Sequence, residues 1–237
     1  MEEALYMDDM YLKEWDSTVV SVSQEKFIVL DKTAFYPNSG GVEYDTGVMI
    51  GPAGDEFKVV FVGKFSDQIS HELDRPGLKE GDKVHCRLNW ERRHLLMRYH
   101  TAAHILSGLF SKDYGAKITG NQLTTEKGRI DFDLDNFDKD YMIKLIEKSN
   151  ELIQRDLPVE TYYMKREEAL KDPLMLKLAD KMPPEVENLR VVDIKGFDYQ
   201  ADGGCHVRSL REIGKIIFMS ADNKGKNNRR VYFKLED

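Results

Sequence analysis

Two histidines lie four positions apart in YHTAAHIL, residues 99–106, among apolar and small side chains. On a helix, positions i and i+4 share one face about 5–6 Å apart at Cβ, so His100 and His104 could bind one metal ion. The glutamate of the metalloprotease motif His-Glu-x-x-His is missing, because Thr101 occupies its position. The spacing alone is a weak signal, since packed or surface histidines also occur in pairs.

A second group of candidate ligands lies far along the chain, in YQADGGCHVR, residues 199–208. Asp202, Cys205 and His206 flank two glycines, which permit a sharp turn and close backbone approach. Zinc sites are commonly built from two ligands on a helix and further ligands on a remote loop. Four protein ligands close a structural site, whereas three leave a position open for water or substrate. A small buried cysteine and a turn aspartate are the plain alternatives for Cys205 and Asp202. Together the two groups predict a metal site.

The elements that must position these ligands fall into two regions. Residues 1–89 contain short β-rich runs, such as TVVSVSQEKFIVLDKT, separated by Gly-, Asn- and Asp-rich turns, which predicts a small β-barrel. From Trp90 to Phe110 the apolar residues recur with a helical period. Irregularly ordered segments follow: a strand in RIDFDL (129–134), a helix in 138–156, a strand in 158–165, and a proline-interrupted helix in 166–181. The predicted class is α+β, with the barrel in 1–89 and an α+β domain in 90–237.

Charge is distributed unevenly along the 237 residues. The formal net charge is −7, but residues 1–90 hold 9 Lys and Arg against 17 Asp and Glu, so the acidic excess lies in the first third. Local basic clusters later in the chain therefore leave a polyanion partner open. The 2 cysteines predict a reducing, cytoplasmic location without a disulfide framework. No apolar run approaches the roughly 20 residues of a membrane span, so no membrane partner is expected.

The ordered motifs resemble the alanyl-tRNA editing family, which comprises the editing region of alanyl-tRNA synthetase and its free-standing relatives, the AlaX proteins. The motifs are DKTAFYPNSGGVEYDTG (31–47), LNWERRHLLMRYHTAAHIL (88–106), GRIDFD (128–133), DGGCHV (202–207), EIGKI (212–216) and RRV (229–231). Each motif is unspecific alone, whereas the ordered combination is specific and covers nearly the whole chain. Because the other parts of a synthetase are absent, the chain resembles the medium-length free-standing form.

The resemblance implies a trans-acting aminoacyl-tRNA deacylase, an ester hydrolase without a nucleotide cofactor and therefore independent of ATP. Its expected substrate is the acceptor end of tRNA(Ala) wrongly charged with serine, and glycyl-tRNA(Ala) is a further candidate. A binding pocket for alanine discriminates against serine or glycine by only about 100-fold or less. A second, hydrolytic site is therefore needed to remove the wrong amino acid. The oligomeric state is not indicated.

The resemblance also implies a Zn2+ site. The family's two helix histidines map to His100 and His104, and its loop histidine maps to His206. Asp202 stands at the family's cysteine position and Cys205 at its threonine position. We expect the three histidines to bind zinc, with Asp202 or water as fourth ligand and Cys205 against the pocket; Cys205 is the alternative fourth ligand. Zinc could activate the ester or a water, or hold the substrate's amino group or terminal ribose.

Further site residues follow from the family motifs. Thr119 and Asn121, in KITGNQL (117–123), are candidates to recognise the serine hydroxyl beside Cys205, with turn chemistry as the alternative. Arg129 could contact phosphate or hold Asp131. The candidate selectivity or interdomain loop consists of Ser39, Gly40 and Gly41, followed by Val42 where the family often has Gln.

Contact with the tRNA backbone requires basic side chains. The candidates are Arg92, Arg93, Arg98, Lys215, Lys224, Lys226, Arg229 and Arg230. Two other functions stay open: threonyl-type editing of seryl-tRNA(Thr), and a non-catalytic zinc-stapled RNA-binding module. The first differs in substrate, and the second predicts a closed four-ligand site without ester hydrolysis.

Overall fold

The structure, a computed structural model, describes residues 3–65, 68–134, 139–172, 175, 185–225 and 228–237. The chain forms two compact units, Met1–Leu96 and Met97–Asp237, and the division falls within one long helix. The mixture of sheets and few helices confirms the predicted α+β class.

A closed six-stranded barrel dominates the first unit, as predicted. The strands are β1 (Glu3–Ala4), β2 (Glu14–Ser23), β3 (Phe27–Leu30), β4 (Lys32–Thr33), β5 (Gly47–Ile50), β6 (Glu56–Phe65), β7 (Gln68–Leu73) and β8 (Lys83–Leu88). The barrel closes in the order β2-β3-β7-β6-β5-β8, whereas β1 pairs in parallel with β4. Side chains alternate between the inside and the outside along β3 and β7, and Ile28, Leu30 and Leu73 from these strands form a fully buried core with Met49 of β5.

The first unit also buries polar groups and satisfies them internally. The guanidinium of Arg93 binds the Asp45 carboxylate and the carbonyl oxygens of Met10 and Ala34. Arg93 and Asp45 each keep only 1% of their side-chain surface exposed. A buried ion pair of this kind is tolerated when hydrogen bonds complete it.

His71 is a second buried polar group of this unit, with no exposed surface. Its Nδ1 lies 2.9 Å from the carbonyl oxygen of Ile28, which can only accept, so Nδ1 carries the proton. Its Nε2 lies 2.9 Å from Oγ1 of Thr33, which can then donate to it. Both ring nitrogens are therefore satisfied by the barrel itself.

The second unit contains most of a long helix and two sheets. Its helices are α1 (Trp90–Tyr114), which begins in the first unit, α2 (Lys139–Gln154) and α3 (Arg166–Ala169). Its strands are β9 (Ile118–Leu123), β10 (Gly128–Phe132), β11 (Val159–Lys165), β12 (Asn188–Ile194), β13 (Asp198–Ala201), β14 (Lys215–Asn223) and β15 (Arg229–Glu236). One sheet has the order β14-β15-β10-β9 and the other β11-β12-β13.

Helix α1 packs on the four-stranded sheet through aromatic side chains. The rings of Phe110 and Phe132 stack at 4.0 Å, and those of Tyr99 and Phe233 lie 5.7 Å apart. The helix continues one turn beyond the predicted Phe110 and ends at Tyr114. Gly115 follows it with a positive φ of 67°, which fits a helix C-cap. All residues from 99 to 108 are buried, so in this segment the helix is buried on all sides and not only along the predicted stripe.

Of the helix predicted over 166–181, the structure shows α3, and residues 170–172 follow it as a turn and an irregular residue, not as helix. Residues 173, 174 and 176–184 lie outside the described residues. In the described ranges, no helix combines the length and apolar character needed to cross a bilayer.

Candidate metal centre

Helix α1 presents His100 and His104 on one face, as the i, i+4 spacing predicts. Their ring centroids lie 5.0 Å apart, and each residue is 5% exposed. Thr101, between them in sequence, donates its hydroxyl proton to the carbonyl oxygen of Met97 at 3.0 Å. A regular, buried helix therefore fixes two imidazoles beside each other.

The turn after β13 supplies the other side of the cluster. The His206 ring lies 4.1 Å from that of His100 and 4.4 Å from that of His104. The Gly204 amide donates to Oδ1 of Asp202 at 2.5 Å, which orients the carboxylate toward the helix. Arg190, on β12, donates through Nη1 to the carbonyl oxygens of Asp202 (3.0 Å) and Gly204 (2.9 Å).

Two glycines allow the helix and this turn to approach closely. A Cβ on Gly204 would lie 2.3 Å from Cε1 of His100, which real structures do not tolerate. A Cβ on Gly108 would lie 2.9 Å from the ring of Phe197, in the turn between β12 and β13. Any side chain at these two positions would therefore push the turn away from α1.

Four side chains meet at one point as a result. The Nε2 atoms of His100, His104 and His206 lie 3.5, 3.6 and 3.3 Å from the carboxylate oxygens of Asp202. The four ligand atoms lie within 4.8 Å of one another, and the group found among the described residues does not include Cys205. Three imidazoles and a carboxylate form a donor set that suits zinc.

The outer nitrogens of the imidazoles test whether a metal fits. Nδ1 of His206 lies 3.1 Å from Oγ1 of Thr101, and Nδ1 of His104 lies 2.7 Å from the side-chain amide of Gln200. Nδ1 of His100 is buried and has no hydrogen-bond partner among the described residues. In His104 and His206, Nδ1 has an outer partner and Nε2 points inward, the arrangement found in metal-binding histidines. The residues present therefore fit a metal ion.

The electrostatics of the cluster favour an ionised Asp202 carboxylate and a neutral His206 imidazole. Burial raises the pKa of the Asp202 carboxyl, but the charge of His100 and hydrogen bonds from all three imidazoles outweigh it and hold the pKa well below its usual value. Burial and the charges of His100 and His104 lower the pKa of His206 well below its usual value. Asp202 is therefore ionised and His206 neutral near neutral pH, the states that bind metals.

Solvent reaches the cluster mainly on the side of the Asp202 carboxylate. The side chain of Asp202 is 23% exposed, whereas those of His100, His104 and His206 are 7%, 6% and 0% exposed. A molecule that reaches the cluster from solvent therefore meets the carboxylate side first.

The remaining predicted pocket residues occupy different places. Cys205 is buried at 6% exposure, next to His206 in the turn. Thr119 is exposed and Asn121 half-buried on β9 of the four-stranded sheet. The structure assigns no role to these three residues, which stay predictions.

The loop of Ser39, Gly40 and Gly41 is an exposed tight turn in the first unit. Ser39 and Val42 form an isolated β-bridge, and both glycines have positive φ, 60° and 79°. The glycines are thus explained by turn geometry, and a role in selectivity stays a prediction.

The basic candidates differ in their availability. Arg93 is buried in its ion pair, and Arg229 is 5% exposed with Nη1 bound to Asn223 and to backbone carbonyls, so neither reaches the surface as expected. Burial of both side chains argues against the expected contact of these two arginines with RNA. Arg230 binds Asp131 through two hydrogen bonds of 2.7 and 2.8 Å, in the place considered for Arg129.

Two more arginines have partners within their own units. Arg92 binds Glu43 at 2.8 Å, and Arg98 binds Asp237 at 2.7 Å. Lys215 is exposed, Lys224 pairs with Asp222 at 3.1 Å, and Lys226 lies outside the described residues.

Three residues around the cluster were not identified from the sequence. Thr101 and Gln200 bind the outer nitrogens of two imidazoles, and Arg190 holds the turn. A structural role for Arg190 could have been predicted, because it is a charged residue inside the apolar strand LRVVDI. The roles of Thr101 and Gln200 depend on which ring faces them, and no local pattern shows this.

Comparison with known sequences places the chain among relatives of aminoacyl-tRNA synthetases. A family profile described as "tRNA synthetases class II (A)" matches residues 8–92. A second profile, "Threonyl and Alanyl tRNA synthetase second additional domain", matches residues 189–232. The second range contains Asp202 and His206, and neither range contains His100 or His104.

Individual relatives narrow this class. The chain is 41% identical over 238 residues to "Alanyl-tRNA editing protein AlaX-M" of Saccharolobus solfataricus, with 100% of both chains covered. It is 44% identical over 243 residues to the protein of the same name in Methanosarcina barkeri, again over 100% of both. It is 36% identical to "Alanine--tRNA ligase" of Pyrococcus furiosus, over 97% of this chain and 25% of the ligase. The chain therefore belongs to the AlaX-M family of alanyl-tRNA editing proteins.

Proposed function

We propose that the chain hydrolyses the aminoacyl ester of seryl-tRNA(Ala) in trans, with glycyl-tRNA(Ala) as a further substrate, at a zinc site formed by His100, His104, His206 and Asp202. The observation that carries the proposal is the meeting of three inward Nε2 atoms and one carboxylate within 4.8 Å. This meeting occurs in a chain that belongs to an editing family.

The enzyme class follows from family membership. Alanyl-tRNA editing proteins are aminoacyl-tRNA deacylases, so this chain is a hydrolase that acts on mischarged tRNA(Ala). Serine as the preferred amino acid, independence from ATP and a cytoplasmic location remain our proposals, which rest on the sequence resemblance.

The donor set supports zinc with Asp202 as the fourth ligand. Asp202 lies within 3.3–3.6 Å of all three Nε2 atoms, and Cys205 is outside the group. Zinc, when bound, supplies either a Lewis acid for the ester and water or an anchor for the substrate's amino group or terminal ribose. Both fit a site whose carboxylate side is the accessible one.

The chain's own residues contribute positioning and water exclusion. The buried faces of α1 close the imidazole side, so the ester must approach past Asp202. Gly204 lacks a Cβ, which leaves the space that the His100 ring occupies. Thr119, Asn121 and Cys205 are our proposed contacts for the serine side chain.

The proposed RNA surface omits Arg93 and Arg229, whose side chains are buried. It consists of Arg92, Arg98, Lys215, Lys224, Lys226 and Arg230. Each phosphate contact that is lost should lower the salt dependence of tRNA binding by about 0.7–0.9 in slope. We further propose that residues 1–89 and 90–237 act as the barrel domain and the editing domain, with the loop 39–41 contributing to selectivity.

Deacylation of three substrates tests the proposal directly. The protein, with zinc, is incubated with seryl-tRNA(Ala), seryl-tRNA(Thr) and alanyl-tRNA(Ala), and loss of the labelled amino acid is followed. We expect turnover of seryl-tRNA(Ala) only. Turnover of seryl-tRNA(Thr) instead would support threonyl-type editing, and tRNA binding without turnover would support a non-catalytic zinc-stapled module.

A further inference from the structure

The three imidazoles can bind a metal only in one protonation pattern. A neutral imidazole carries its proton on one ring nitrogen, and only the other nitrogen has a lone pair for a metal. Because the Nε2 atoms face Asp202, each proton must lie on Nδ1. The partner of each Nδ1 therefore decides whether that histidine can act as a ligand.

Thr101 favours the form of His206 that carries its proton on Nδ1. Its hydroxyl proton goes to the carbonyl oxygen of Met97 at 3.0 Å, so toward His206 the oxygen can only accept. The distance to Nδ1 of His206 is 3.1 Å, and both residues have no exposed surface. Nε2 of His206 lies 3.3 Å from Oδ1 of Asp202, a competing acceptor. The shorter contact with Thr101 favours the proton on Nδ1, and a metal that binds the Asp202 carboxylate removes the competitor, so that the Nε2 lone pair faces the metal.

Gln200 is compatible with two protonation forms of His104, because its side-chain amide can either donate to Nδ1 or accept from it. The amide nitrogen of Gln200 lies 2.7 Å from Nδ1 of His104, and in this orientation the amide donates. The proton of His104 then lies on Nε2, which points at Oδ2 of Asp202 at 3.6 Å. If the amide is reversed, its oxygen accepts from Nδ1, and Nε2 becomes a metal ligand.

We propose that Thr101 and Gln200 are positioning residues for the metal, Thr101 as a fixed acceptor and Gln200 as a reversible one that turns its amide when metal binds. The inference rests on the proposed metal site. It predicts that metal-free His206 already has the ligand form, whereas His104 must exchange its proton between nitrogens.

Zinc affinity, measured by competition with a chelator, tests the roles of both side chains. Thr101→Val should weaken binding by about 10–100-fold, and Thr101→Ser should restore it. Gln200→Leu should weaken binding in the same range, whereas Gln200→Glu, which can only accept, should tighten it by about tenfold. Ser107→Ala is the matched control, because Ser107 is a buried hydroxyl of α1 that donates to a backbone carbonyl, that of His104. It should bind zinc as the wild type does.

Nitrogen-15 spectra of the wild-type imidazoles test the inference without any variant. We expect His206 to show a protonated Nδ1 both without and with zinc, and His104 to change from protonated Nε2 to protonated Nδ1 when zinc is added. Unchanged zinc affinity in Thr101→Val, or the same His104 form in both states, would overturn the inference. Absence of zinc binding by the wild type would instead overturn the proposed metal site.

Discussion

The two units each bury a polar cluster, and the clusters differ in how they are completed. In the barrel, Arg93 meets the opposite charge of Asp45 and two carbonyl oxygens, so donors face acceptors. In the second unit, inward nitrogens of three imidazoles face the carboxylate of Asp202. The first cluster is complete as folded, whereas the second gathers the ligand types that a cation would bind.

The buried histidines show the same contrast at the level of one ring. Both nitrogens of His71 have partners within the barrel, at 2.9 Å each. His206 uses Nδ1 for Thr101 and directs Nε2 to the shared centre. The partners of the His71 nitrogens are one hydroxyl and one backbone carbonyl, which marks a structural histidine. The inner partner of His206 is a carboxylate shared with two other imidazoles, which marks a binding site.

The largest effect is expected from breaking the complete cluster. Asp45→Asn leaves Arg93 as an uncompensated buried charge, which should lower the free energy of unfolding by about 3–5 kcal/mol. Urea unfolding followed by tryptophan fluorescence measures it, because Trp15 and Trp90 both lie in the first unit. Glu43→Gln, which removes the partner of the partly exposed Arg92, is the control and should cost at most about 1 kcal/mol. Equal costs for the two variants would contradict the interpretation of the barrel cluster.

Removing one imidazole should break the second cluster as a metal site. His104→Ala should lower zinc affinity by at least about 100-fold and abolish turnover of seryl-tRNA(Ala), because the ion loses a ligand that no neighbour replaces. Metal content after dialysis and chelator competition are the measurements. His94→Ala, on the same helix and stacked on Trp90, is the control and should keep its zinc. Equal zinc content in the wild type and His104→Ala would reject the ligand assignment.

The barrel histidine should make the first unit sensitive to acid. Burial lowers the pKa of His71 to about 4 from an unperturbed 6.5. Between these two pH values His71 is protonated in the unfolded chain and neutral in the folded barrel. Stability is complete above pH 6.5 and should fall by roughly 2 kcal/mol between pH 6.5 and 5.

Unfolding by tryptophan fluorescence at both pH values measures this loss. In His71→Gln it should be reduced, whereas a control variant of the exposed barrel histidine, His85→Gln, should retain it. A loss of the same size in His71→Gln would show that other groups cause the acid sensitivity.

The sequence predicts the parts of the fold that depend on local periodicity. The helix start at Trp90, the histidine pair on one face and the alternating strands of the barrel follow from spacing between near neighbours. The link between the two ligand groups rests on family motifs, because about 100 residues separate His100 from Asp202 and no local rule spans that distance.

The environments of adjacent arginines could not be predicted from the composition of the sequence. Arg92 and Arg93 are adjacent and look like one basic surface cluster, yet Arg93 is buried against Asp45, 48 positions earlier in the chain. Whether a charge is solvated or paired depends on tertiary contacts. The outer hydrogen bonds of His104 and His206 were hidden for the same reason, since they depend on the directions in which two rings point.

The smallest effect, and the sharpest test of the contrast between the clusters, is expected from Asp202→Asn. The amide retains an oxygen that can accept from the Gly204 N–H, so the turn keeps its hydrogen bond. Without metal, the free energy of unfolding of this variant should stay within about 1 kcal/mol of the wild type, against the several kcal/mol expected for Asp45→Asn. Zinc should stabilise the variant less than the wild type, because stabilisation by a ligand follows its affinity. Thermal unfolding by circular dichroism, with and without zinc, measures both quantities. A metal-free loss as large as that of Asp45→Asn would mean that Asp202 and the imidazoles form a complete ionic cluster of their own, and the distinction between the two units would fail.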